Sequence, residues 1–152
     1  MAVKLIVKCM FKLIFLRQRS YILGSILSAF SVFYIGLLIY TALLPDINVG
    51  VGTPFLHFDK FLHFLGYMVL SFLLIQSFFH LFRIHKIKSF LVVLYISAFV
   101  GALTEVLQHY FTNGTRTAEV SDFIADVLGA LSVFVLLLLK SKEKNQFAKH
   151  PK

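Results

Sequence analysis

Charge is what this sequence has least of. Of its 152 residues only 14% are Asp, Glu, Lys or Arg, where a soluble domain carries about one quarter. A small water-soluble globule is thereby excluded. Cysteine occurs once, as Cys9, which excludes a disulfide scaffold, and the 59% hydrophobic content excludes a disordered chain. Cys9 lies among lysines and reads as an inert thiol, with lipidation the lesser alternative. Acids are scarcer than bases, seven against fifteen, yet no nucleic-acid motif accompanies the surplus of bases.

What is present is apolar: mean hydropathy is +0.85, and 18 of the residues are Phe. The class that remains is an all-α integral membrane protein. Its 152 residues accommodate one bundle of a few helices and no appended catalytic domain, so chemistry is expected from the bundle itself.

Uncharged runs define the spans. Residues 20–44 contain no charge and are long enough to cross a hydrocarbon core of ~30 Å at ~1.5 Å per residue. The run is too long for the apolar core of a signal peptide, and no clear small-x-small site follows it, so it is expected to remain as an anchor. Residues 61–82 form a second run and residues 89–111 a third, with Glu105 as the third run's only formal charge. The fourth is shorter. Val127 to Leu139 would rise only about 20 Å as a helix, so the helix must begin near Glu119, giving a span of 119–139. That draws Asp122 and Asp126 toward the membrane, where an unshielded acid costs roughly 3 kcal/mol at the centre. Both are expected to face protein.

Bases at span ends set the orientation, because Lys and Arg are retained on the cytoplasmic side. Residues 1–19, the connector holding Arg83, Lys86 and Lys88, and the tail 140–152 together carry thirteen bases against one acid. The opposite side carries Lys60 and Arg116 against Asp46, Asp59, Glu105, Glu119, Asp122 and Asp126. Both termini are therefore expected in the cytoplasm. Lys4, Lys8 and Lys12 recur at helical spacing beside apolar residues, so residues 3–17 are expected to form a short interfacial helix on anionic lipid.

The polar residues on the acidic side repeat at helical intervals. Asp59, His63 and Tyr67 are four apart; Glu105, Gln108 and His109 stand at i, i+3 and i+4; Glu119, Asp122 and Asp126 follow, with Gly129 after them. Each set occupies one helix face, and the topology puts all three at similar depth. Asn113-Gly114 marks a turn that places Arg116 on the loop between spans three and four. Asp46 and the Gly50-x-Gly52-Thr53-Pro54 stretch belong to a flexible connector of about fifteen residues, with a lid as the bolder alternative.

The motifs Asp59-Lys60-Phe61-Leu62-His63-Phe64 with Tyr67 and Leu70, then Glu105-x-x-Gln108, then Arg116-Thr117-x-x-x-Ser121-Asp122-x-x-x-Asp126-x-x-Gly129-Ala130 resemble those of the VanZ-like membrane proteins over roughly Pro45 to Ala130. One departure is Asp126, where many members of that family carry Asn. The resemblance implies a four-helix protein of the bacterial cytoplasmic membrane, with a role at the cell envelope and a link to tolerance of the glycopeptide teicoplanin. It implies no particular reaction.

The candidate site is Asp59, Lys60, His63, Glu105, Gln108, Arg116 and Asp122, with Asp126 second. One reading of it is structural: Lys60 pairs with Glu105 or Asp122, Arg116 with Asp122 or Glu119, and His63 with a carboxylate, locking helices in register. Against this stands the surplus of acids left after both bases are used, since ionisable groups in membranes usually serve function. An enzyme acting on a lipid-linked envelope intermediate would use an acid as base, His63 as proton shuttle, and Lys60 and Arg116 on an anionic group. A metal held by His63, Glu105, Asp122 and Asp126 is chemically possible, although no His-Glu-x-x-His signature is present. The partners expected are the lipid bilayer and either such an intermediate or a glycopeptide; no nucleic acid is expected. Oligomeric state and enzymatic character stay open.

Overall fold

A computed structural model describes residues 2–44, 58–111 and 119–149, with side chains at 16–44, 59–111 and 119–141. Four α-helices account for them: α1 (Ala2–Leu43), α2 (Phe58–Phe82), α3 (Lys86–Phe111) and α4 (Val120–Lys149). Each contains a segment long and apolar enough to cross a membrane: Leu16–Leu43, Asp59–Phe82, Lys86–Phe111 and Val120–Ser141. The chain is thus a helical bundle suited to a lipid bilayer. Large side chains such as Phe33, Leu91, Tyr95 and Val120 point outward, as a lipid-facing surface requires.

The fourth helix starts where the length argument put it, at Val120 directly after Glu119. The N-terminal region differs from expectation. Residues 3–17 do not form a separate helix; they are the first turns of a single 42-residue α1. The reason is visible in the sequence, which has no Pro before Pro45, and no Gly before Gly24, to interrupt the hydrogen-bond ladder. The side chains of Lys4, Lys8, Cys9 and Lys12 lie outside the described residues, as do residues 46–54 of the connector, the Asn113-Gly114 turn and Arg116.

Helix α2 is central and packs on α1, α3 and α4, while α4 packs on α2 and α3 but not on α1. The contacts run antiparallel between α1 and α2, α2 and α3, and α3 and α4. Consequently α2 and α4 run parallel, at an offset of about sixty residues: Lys60 meets Asp122, His63 meets Asp126, and Gly129 meets Phe64. Gly129 makes this approach possible, since a Cβ there would collide with the Phe64 carbonyl oxygen. The core consists of Tyr67, Leu70, Leu74, Ile75, Phe90, Val93, Val100 and Val133. Phe90 stacks on Phe134 with ring centroids 4.1 Å apart, fastening α3 to α4. A three-residue turn joins α2 to α3 and begins at Arg83, whose φ of 57° is the left-handed conformation that closes many helices.

Candidate functional site

The helix register determines which polar side chains meet. The first two turns of α2 offer Asp59, Lys60 and His63; the last turns of α3 offer Thr104, Glu105 and Gln108; the start of α4 offers Asp122 and Asp126, with Glu119 just before it. All belong to one end of the bundle, here termed the polar end. The other end carries Arg83, Lys86 and Lys140.

Lys60 is the hinge of the network. Its Nζ donates to Glu119 Oε2 at 2.6 Å and to Asp122 Oδ1 at 2.8 Å. The sequence offered Glu105 as an alternative partner; in the structure Glu105 instead accepts the backbone N–H of Glu119 through Oε2 at 2.9 Å. This satisfies one amide at the start of α4 that would otherwise have no acceptor. Ser121 also donates to Glu119 Oε2, at 2.9 Å. The Lys60 ammonium and this hydroxyl hold the Glu119 carboxyl below the usual carboxylate range.

One turn deeper, His63 Nδ1 and Asp126 Oδ1 share a hydrogen bond of 2.9 Å. Asp126 is fully buried and Glu105 is 8% exposed. Each leaves one oxygen, Asp126 Oδ2 and Glu105 Oε1, buried without a hydrogen-bond partner among the described residues. Below them Tyr67 and Thr104 join their hydroxyls at 3.2 Å, and Thr104 also donates to the Gly101 carbonyl at 2.8 Å.

The residues singled out in the sequence therefore divide as follows. Lys60, His63, Glu105, Asp122 and Asp126 form one connected region. Gln108 is buried on α3, one turn beyond Thr104, and Asp59 is exposed at its rim. Arg116 lies outside the described residues. Asp126, ranked second from sequence, is the most deeply buried acid of the group and the partner of His63. Gly101 has the Asp126 carboxylate as its neighbour, and a Cβ there would stand 2.7 Å from Oδ2. The available signal was that Gly101 and Glu105 share a face of α3, one turn apart.

Among the described residues, two sets of side chains could hold a metal ion. Asp59, His63 and Asp122 form an outer set, and His63, Glu105 and Asp126 a buried one; within each set the donor atoms lie within 4.8 Å of one another. A cavity of about 130 Å³ reaches His63 from the side of α1 and α3, lined by Leu38, Thr41, Asp59, Tyr67 and Thr104 among others. A second hollow, of about 280 Å³, opens on Glu105 between Ala102, Val120 and Phe123. The arrangement can hold a cation, relay a proton through His63, or present Lys60 to an anionic group.

Compared with known proteins, the chain matches no family model, no curated protein and no solved structure. The class it belongs to is therefore the one its own helices define: a four-helix protein of a lipid bilayer with a charged network at one end.

Proposed function

We propose that this chain is a VanZ-like protein of the bacterial cytoplasmic membrane, with both termini in the cytoplasm. Its polar end faces outward and acts on or at the cell envelope, with tolerance of teicoplanin as the associated phenotype. The observation that carries this reading is the separation of charge along the bundle: Lys60, His63, Glu105, Asp122 and Asp126 lie together at one end, and Arg83, Lys86 and Lys140 lie at the other. Basic residues retained in the cytoplasm put the acids outside, where a lipid-linked intermediate or a glycopeptide would reach them.

The test is to express the chain in a glycopeptide-sensitive host and measure growth against teicoplanin. Wild type raises tolerance. Asp122→Asn and His63→Ala, where they accumulate normally, do not. Equal sensitivity with and without the chain contradicts the proposal.

A second reading, a non-catalytic binding or assembly factor whose network is structural, is favoured by Lys60, whose ammonium is already committed to two carboxylates. It predicts that every variant changes tolerance only in proportion to the protein remaining in the membrane.

A further inference from the structure

We infer that His63, Glu105 and Asp126 form a binding site for a single first-row divalent cation, of the Zn²⁺ or Mn²⁺ kind, buried at the polar end between α2, α3 and α4. The inference rests on the envelope-site reading and names a ligand for the same end of the bundle.

Charge is the first argument. Lys60 is the only base among the described residues at this end, and both of its short contacts go to Glu119 and Asp122. Glu105 and Asp126 are thus left without a base, although both are more than nine-tenths buried. A protonated His63 would balance one of them and leave the other. Buried carboxylates in an apolar bundle need a proton or a cation.

The second argument is the pair of unpartnered oxygens. Asp126 Oδ2 and Glu105 Oε1 are bare, yet the other oxygen of each carboxylate is engaged, with His63 and with the Glu119 amide. Glu105 is therefore held by one oxygen with the other unpartnered among the described residues, and a cation bound through His63 Nδ1 would take the place of the proton that Nδ1 shares with Asp126 Oδ1. Gly101 supplies the space: any larger residue would place a Cβ 2.7 Å from Asp126 Oδ2, so glycine lets that carboxylate lie against α3 one turn from Glu105.

The third argument is the donor set. One imidazole nitrogen and two carboxylate oxygens, all within 4.8 Å of one another, suit Zn²⁺ or Mn²⁺, whereas Ca²⁺ and Mg²⁺ favour oxygen-only shells. The outer set fits less well, because Asp59 is exposed and Asp122 already accepts from Lys60. The Glu119 amide on Glu105 fixes the orientation of that ligand, as hydrogen bonds around metal ligands commonly do. The cavity beside His63 and the hollow at Glu105 give the ion a way in.

The experiment uses the full-length protein, purified in detergent and stripped with a chelator, titrated separately with ZnCl2, MnCl2, MgCl2 and CaCl2. Bound metal is counted by mass spectrometry and affinity taken from calorimetry. The expected result is one Zn²⁺ or Mn²⁺ per chain, with affinity reduced at least about tenfold in Glu105→Gln and in Asp126→Asn, and close to wild type in Asp59→Asn. Glu105→Gln keeps a carbonyl to accept the Glu119 amide, so it carries the test if Asp126→Asn does not accumulate. Folded wild-type protein that binds none of the four ions overturns the inference, as does binding that survives Glu105→Gln or is lost in Asp59→Asn. None of these readouts depends on teicoplanin, so failure here leaves the envelope reading to its own test, and the converse also holds.

Discussion

The middle of the bundle and its polar end use polar groups in opposite ways. In the middle, Ser71 and Ser97 join their hydroxyls at 2.9 Å across α2 and α3, and Ser77 donates to the Gly24 carbonyl at 3.4 Å across α2 and α1. Toward the basic end, Ser20 pairs with His80 Nδ1 at 3.1 Å. These contacts are made by hydroxyls and a histidine, without a carboxylate, and they hold helices together as neutral polar groups in membranes do. At the polar end, five acids meet one lysine among the described residues, and two buried carboxylate oxygens face no donor. A bundle that can be fastened by serines does not require buried acids to be fastened. The acids are retained at a cost that helix packing does not explain, and function is the reason we assign.

The strongest way to break the comparison is to destroy the register that creates the polar end. Gly129→Leu drives a side chain into the Phe64 backbone; the expected loss is at or above the upper end of the ~1–3 kcal/mol typical of overpacking, read as thermal stability in detergent or as failure to accumulate. Gly36→Ala is the matched control, because a Cβ there meets nothing within 4 Å. It is expected to stabilise α1 by up to about 0.5–1 kcal/mol.

Next in size is the removal of the base. Lys60→Met strands Asp122, whose side chain is only 6% exposed, at an expected cost of about 1–3 kcal/mol. Adding Asp122→Asn to that variant recovers much of the stability without recovering teicoplanin tolerance. Recovery of both would make the network purely structural.

The neutral contacts sharpen the contrast from the other side. A double-mutant cycle on Ser71→Ala and Ser97→Ala is expected to give a coupling near 0.6 kcal/mol and below about 1.7, with tolerance unchanged. The smallest effect belongs to Glu119. Its carboxyl is held below the usual carboxylate range, so its ion pair with Lys60 contributes fully above that range and is lost as pH falls through the lowered value. Glu119 is exposed, so the contribution is small. Glu119→Gln should unfold slightly earlier than wild type at pH 7 in a melting series, with the gap closing as pH falls below the usual carboxylate range.

The spans were legible because an uncharged run of twenty residues has few other uses, and even the start of α4 followed from the shortness of Val127 to Leu139. The partner choices were not legible. Depth alone put Glu105 and Asp122 equally within reach of Lys60 and left Glu119 to Arg116; the parallel α2 and α4 register, which depends on one glycine against one carbonyl, selects Glu119 and Asp122. Asp126 was undervalued because it departs from a family pattern, whereas its burial depends on Gly101, a residue on a different helix. Contacts between helices are properties of two sequences at once, and no single run carries them.

The central claim is that the acids gathered by this register face the cell exterior. Single cysteines introduced as Gly50→Cys, Gly114→Cys and Ser141→Cys, each in a Cys9→Ser background, can be probed in intact cells with a membrane-impermeant maleimide. The account predicts labelling at positions 50 and 114 and protection at 141; labelling at 141 with the other two protected would contradict it.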